Sequence, residues 1–301
     1  MKKNILLTVL FAFASLMANA QLLYKISGKG LANSSYIVGT YHLAPASFAD
    51  SIPGIRQAMA DCQQTYGELV MNQMMSADSV ALLHQAMMLP DGMTIDKVLS
   101  ADEMTRLNAY LRELVGTDLT NAMLNQQMGK MSPSGLSTTL SMLSFMKKEG
   151  NVDVTNLIDD YFQKETLAQG KGIGGLETVG FQIKVLFKGQ TMERQKQLLM
   201  CLVDNAKVMD EMTDKVRKAY YSQDIDAVKE ALDAKLYNSC DQTPEEEDAL
   251  INNRNADWLT KMPALMSQKP TLFAVGAGHL PGPKGVLNLL REAGYRVEPM
   301  K

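Results

Sequence analysis

Tyr36-Ile37-Val38-Gly39-Thr40-Tyr41-His42 near the start of the chain and Leu272-Phe273-Ala274-Val275-Gly276-Ala277-Gly278-His279 near its end decide the fold. In each, an apolar run rich in strand formers stops at a glycine and delivers a histidine three residues later. A buried strand that breaks at glycine and ejects an imidazole presents a ligand or a base at a sheet edge. The chain holds three histidines, and two of them occupy these matching positions. Singly, such residues are more often strand ends without chemistry. As a matched pair they point to one shared site.

Working outward, Leu22 to Ser27 alternates as a strand and turns through Gly28-Lys29-Gly30 and Asn33-Ser34 into the first motif. A short helix is predicted around Ile55 to Ala60, then a third strand, Gln64 to Val70, carrying Glu68. From Ser76 to Phe187 the pattern is mostly helical. Ser100 to Glu103 forms a capping box ahead of an apolar stripe at Met104, Leu107, Leu111 and Leu114. Asp153 is placed to cap a helix running to Ala168, and a short strand, Gly172 to Leu176, then leads to Glu177. A second helical section covers Glu193 to Leu236, and Thr243-Pro244-Glu245-Glu246 opens a helix reaching Met266. Strand Leu272 to Val275, helix Lys284 to Ala293 and strand Tyr295 to Glu298 close the chain as a βαβ-like unit. Strand-rich ends around a helix-rich middle predict a mixed α/β (α+β) fold. Its mixed β-sheet core is built from both chain ends, with a helical insertion at about 73–266, in one domain spanning 21–301.

Residues 1–20 read as a signal peptide: Lys2 and Lys3, an apolar core from Ile5 to Met17, and Ala18-Asn19-Ala20 as cleavage site. An exported protein, periplasmic or secreted after cleavage near Ala20, is expected. No later run reaches the length of a membrane span, so no stable membrane insertion is expected. The formal net charge is −3 and grows more negative once the two lysines are removed, which offers no footprint for nucleic acid. Of the three cysteines, Cys201 and Cys240 are the favoured disulfide pair, with a free-thiol alternative. The 22 methionines raise the idea of a copper surface at Met71, Met74 and Met75, but leucine-like spacing around Met87 and Met88 favours core filling. His84, alone on an apolar helix, is expected in a core or interface.

A hydrolytic metal site needs about three protein ligands and an open position. His42, Glu68 and His279 each follow a strand, and adjacent parallel strands would bring their ends to one edge. His–Glu–His suits a divalent transition metal (zinc, manganese or cobalt). Glu177 is the second acid: it is either a first-turn residue at a helix start or a base taking a proton from water. Arg254 and Asn255 fall on the apolar face marked by Leu250, Ile251, Trp258, Leu259 and Met262. A buried arginine needs a partner, so Arg254 pairs with Glu68 or Glu177, holds an oxyanion, or packs its stem while its head reaches water. Gly170-Lys171-Gly172-Ile173-Gly174-Gly175 matches a dinucleotide fingerprint only formally, because it follows a helix and enters a strand.

These segments also carry a resemblance. Tyr36 to Leu43, Gly67-Glu68-Leu69, Asn151-Val152-Asp153, Gly175-Leu176-Glu177-Thr178, Asn253 to Trp258, Val275 to Val286 and Gly294 to Val297 occur in an order that resembles the TraB/GumN family, related to the TIKI metalloproteases. The blocks run through essentially the whole mature chain. The resemblance implies a metal-dependent peptidase acting on a peptide or protein substrate. Its glycine–histidine motifs and upstream glutamate, here His42, His279 and Glu68, would then be active-site residues, with Glu177 as base and Arg254 facing the oxyanion. The alternative is a non-catalytic exported protein holding metal, haem or peptide in the same pocket. A helical interaction module with vestigial histidines is a third reading.

Overall fold

A computed structural model of the chain describes residues 21–150 and 153–300. The proposed signal peptide lies outside the described residues. Six strands form one sheet in the order β4-β3-β5-β2-β1-β6: β1 Leu23–Ser27, β2 Ser35–Thr40, β3 Gln64–Gly67, β4 Gly172–Gly175, β5 Thr271–Gly276 and β6 Arg296–Pro299. Five of the six strands come from the two ends of the chain, as expected, and β4 comes from within the otherwise helical middle. β4, β3, β5 and β2 are mutually parallel, β1 is antiparallel to β2, and β6 is antiparallel to β1.

β2 and β5, the two apolar runs that each end at a glycine, lie side by side in the middle of the sheet, with Gly39 opposite Val275. All six residues of each are buried, so an uninterrupted apolar run rather than an alternating one is what their position requires. Ile37, Val38, Leu272 and Phe273 join Trp258, Phe162 and Met262 in the main core. The helical middle builds a second core of its own around Leu107, Leu111, Leu136, Leu140 and Leu199. Helix Ala101–Val115 carries the expected capping box, Ser100 with Glu103, and buries Leu107 and Leu111 from the expected stripe.

Four local readings change. The helix expected from Asp153 begins at Ile158, and Asp153 instead accepts from the N–H and hydroxyl of Thr155 in a turn. The cause is tertiary: the N–H of Ala46 donates to Asn156 O and that of Ile158 to Ala44 O, which pins this stretch extended beside Pro45. The C-terminal βαβ-like unit is split, since β2 and β1 stand between β5 and β6. His84 is exposed on helix Ala77–Met87. Met71 and Met74 are half-buried and Met75 is 81% exposed, so these three do not fill the core.

Cys201 and Cys240 form a disulfide across a sequence separation of 39 residues, while Cys62 is free and buried. Closing a loop of that length stabilises a fold by about 2–4 kcal/mol in the chain-entropy view. The bridge ties helix Met192–Asp204 of the second core to the loop ahead of Thr243, which opens the helical stretch leading to Arg254.

Candidate functional site

Parallel pairing has one consequence that matters for chemistry: the carboxyl ends of β2, β3, β4 and β5 open on the same edge. His42, Glu68, Glu177 and His279 follow those four strands by one to three residues. Arg254 arrives from helix Asn253–Gln268, which is preceded by a π-helical turn at Asp248–Asn252. Such turns recur at functional sites because one extra residue re-aims the side chains that follow. Arg254 is 5% exposed and Asn255 is fully buried, on the face their periodicity indicated.

Arg254 binds both acids. Its Nε and Nη2 donate to the two Glu177 oxygens at 2.7 and 2.9 Å, and Nη2 also donates to Glu68 Oε2 at 2.6 Å. The indole N–H of Trp258 donates to Glu177 Oε1 at 2.9 Å, and the Glu177 side chain is 0% exposed. Glu177 therefore has no oxygen open to solvent. It is built to anchor Arg254, and the alternative of a base acting directly on water does not suit this arrangement. Glu68 accepts from Gly276 N–H at 2.8 Å and from Gln182 Nε2 at 3.0 Å.

The two histidines are held differently. Asn255 Nδ2 donates to the carbonyls of His279 and Lys284, so its Oδ1 accepts from His279 Nδ1, 2.7 Å away. That bond places the proton on Nδ1 and leaves the Nε2 lone pair facing Arg254 Nη1 at 3.0 Å and Glu68 Oε1 at 3.8 Å. The His279 ring also stacks 4.4 Å from Trp258. His42 Nδ1 lies 3.0 Å from Asp159 Oδ2, and Asp159 Oδ1 accepts from Thr40 Oγ1 at 2.6 Å. The His42 side chain is 66% exposed, so it stands at the mouth of the site. Asp159, Gln182 and Trp258 were not singled out for a role here by sequence. Their only signal is helix-start or helix-face position, which many surface residues share.

Charge follows from this geometry. Burial opposes ionisation of Glu68, but the charges of His279, His42 and Arg254 and the Gly276 N–H outweigh it and hold the carboxyl at about 2. Burial pushes His279 down to about 3. Asp159 raises His42 to about 9 against its desolvation. The signs give a pH prediction. The unfolded chain takes up protons before folded His279 and Glu68 do. Their stability contribution is thus present above the ordinary values of 6.5 and 4.5, and is lost as pH falls through about 3 and 2. His42 works in the other direction: its contribution is full below 6.5 and lost as pH rises through about 9, softened by solvent. Urea midpoints should peak between pH 6 and 8, and a flat profile from pH 7 to 4 would contradict the assignment.

No three His, Cys, Asp or Glu side chains among the described residues are grouped as metal ligands as they stand. Glu68, His279 and His42 nevertheless approach one point, with Arg254 on His279 Nε2 and Glu68 Oε2. A Cβ built on Gly276 would meet Glu68 Oε1 at 3.0 Å, His279 Cδ2 at 3.5 Å and His42 Nε2 at 3.7 Å, so glycine leaves a cradle between all three. Gly276→Ala suits a backbone φ of −51° but requires Glu68 Oε1 to give by a few tenths of an ångström; it should keep the fold at a modest loss of stability, yet lose metal uptake in a calorimetric titration. Unchanged uptake would place the ion elsewhere.

The profile of the TraB/PrgY/gumN family matches residues 22–299. A "Metalloprotease TIKI homolog" of Nematostella vectensis is 22% identical over 312 residues, covering 89% of this chain and 65% of that protein. "Metalloprotease TIKI1" of Danio rerio is 23% identical over 302 residues, covering 88% of this chain and 60% of that protein. "Metalloprotease TIKI2", also of Danio rerio, is 23% identical over 305 residues, covering 88% of this chain and 58% of that protein. The chain thus spans roughly three-fifths of the length of the curated relatives it matches. No solved structure matches it.

Proposed function

We propose that this chain, which belongs to the TraB/PrgY/gumN family, is an exported metal-dependent hydrolase, most closely a metallopeptidase, cleaving a peptide or similar acyl bond. The observation that carries the reading is the convergence of His42, Glu68 and His279 on the Gly276 cradle. The names of the distant relatives support it. Export is supported by the Cys201–Cys240 bridge, which belongs to an oxidising compartment. Among the described residues no helix is long and apolar enough to cross a membrane.

His42, Glu68 and His279 would hold a divalent ion of the zinc, manganese or cobalt type. When bound, the ion supplies Lewis acidity toward water and the acyl carbonyl. The residues around it do the rest. Asp159 holds His42 Nδ1 and so turns Nε2 toward the cradle, while Asn255 fixes the His279 tautomer with Nε2 unprotonated. Arg254, gripped by Glu177 and stacked 5.2 Å from the Trp258 ring, presents a fixed positive charge where an acyl oxyanion would develop.

The second reading, a non-catalytic pocket for metal, haem or peptide, is favoured by one observation: Arg254 already fills part of the donor set of Glu68 and His279. Metal analysis of purified protein coupled to peptide-library cleavage separates the two. Stoichiometric metal with chelator-sensitive cleavage supports the hydrolase. Bound metal with four protein ligands and no cleavage supports the binding protein.

A further inference from the structure

A guanidinium has five N–H donors, and in Arg254 every one is engaged. Nε donates to Glu177 Oε1, and Nη2 divides its two hydrogens between Glu177 Oε2 and Glu68 Oε2. Nη1 donates to Leu250 O at 2.9 Å and to His279 Nε2 at 3.0 Å. The oxygens in this set carry more than one lone pair each, so a further partner can share them. An imidazole nitrogen carries only one. His279 has no other to offer, because its Nδ1 proton goes to Asn255 Oδ1 and its ring is stacked on Trp258. Arg254 Nη1 and a metal ion therefore compete for the same lone pair.

These contacts differ in how firmly they hold the guanidinium. Glu177 grips it through two parallel bonds of 2.7 and 2.9 Å, and the Trp258 indole N–H fixes Glu177 Oε1 in turn. The contact with His279 is a single bond from the outer nitrogen. A small swing about the Glu177 pair breaks it and leaves the positive charge in place. The charge balance allows the arginine to stay. Glu68, Glu177 and Asp159 are three carboxylates against one guanidinium, which leaves two negative charges once both histidines are neutral ligands. A divalent ion matches that remainder. Two buried carboxylates with no cation would be costly, so Arg254 also lets this edge of the sheet close without an ion.

We infer that Arg254 is a displaceable placeholder on the ligand set: Nη1 caps His279 Nε2, withdraws when an ion takes that lone pair, and then offers its freed N–H to an anionic oxygen. Ion uptake and exposure of the oxyanion donor are thereby one event. The inference rests on the hydrolase reading for the ligand set, but its test reads affinity and geometry rather than turnover. Zinc is titrated calorimetrically into the full chain after EDTA treatment and buffer exchange, with circular dichroism to check folding. Arg254→Met combined with Glu177→Gln removes one charge of each sign and so keeps the local net charge. It should bind zinc about 10- to 100-fold more tightly than wild type, the worth of one charge-assisted hydrogen bond. Arg254→Lys keeps the charge but lacks the planar fork that reaches Glu177 and His279 together. It should shift affinity in the same direction by a smaller factor, and it decides alone if the double variant does not fold. A crystal structure of the zinc-loaded wild type should keep both Glu177 bonds and place Nη1 beyond hydrogen-bond reach of His279 Nε2, about 3.5 Å. Equal or weaker zinc binding in the folded variants overturns the inference and makes Arg254 an organiser of the ligands instead. Nη1 still bonded to Nε2 in the loaded protein overturns it as well. If the variants bind zinc more tightly while loaded wild type cleaves nothing, the hydrolase reading fails and the placeholder stands. If loaded wild type cleaves and the variants bind zinc no better, the placeholder fails and the hydrolase stands. If none of the proteins takes up zinc, both fall.

Discussion

Arg254→Met is expected to lower the unfolding free energy by about 3–5 kcal/mol, the usual scale for breaking a buried ion pair from one side. Arg254, Glu68 and Glu177 have side chains 6%, 9% and 0% exposed, so removing the guanidinium strands two carboxylates away from water. Methionine fills much of the same space. The loss therefore reports charge rather than a cavity, and should appear as a fall in Tm on the order of 10 °C. The control is Arg254→Met combined with Glu68→Gln and Glu177→Gln, which removes the uncompensated charge and should recover most of the loss. Glu177→Gln alone should also lower Tm, because in this geometry Glu177 anchors Arg254. A variant with full stability and only a 10²–10⁴-fold slower hydrolysis would instead restore the general-base role. An Arg254→Met protein within about 1 kcal/mol of wild type would show that the cluster is not a closed, water-free network.

His42→Ala is expected to abolish metal-dependent hydrolysis while leaving the fold intact. Its side chain is 66% exposed, and substitutions at such positions move stability by roughly 0.5 kcal/mol. Metal affinity should fall by more than the roughly 10–100-fold that loss of an outer partner costs, and Asp159→Asn should fall within that lesser range. His279 requires a different substitution. The ring packs on Trp258 and satisfies Asn255, so alanine there would leave a buried amide oxygen unpaired at a cost of about 1–3 kcal/mol. His279→Gln keeps a polar side chain beside Asn255 and makes the fairer test. It should lose metal in calorimetry while retaining near-wild-type circular dichroism. If either variant binds metal as tightly as wild type, that histidine is not a ligand.

The sheet strands and the polar residues at their ends can be read from local pattern alone. β2 and β5 are legible because a strand buried on both faces must be apolar at every position, and glycine marks where each run stops. The burial of Arg254 and Asn255 was legible too, since Trp258 and Met262 fix which helix face turns inward. The Cys201–Cys240 pair needed only an oxidising compartment and proximity in the helical middle. Which residues become partners emerges only on folding. Asp159 lies 117 residues from His42, Glu177 lies 77 from Arg254, and β6 pairs with β1 across nearly the whole chain. No local period encodes such separations, because they depend on which strand edges meet once both ends have closed into one sheet. The same closure pinned Asn156, Leu157 and Ile158 against the 44–46 segment and moved the helix start from Asp153 to Ile158. It also engaged both oxygens of Glu177 with Arg254, and Trp258 with one of them.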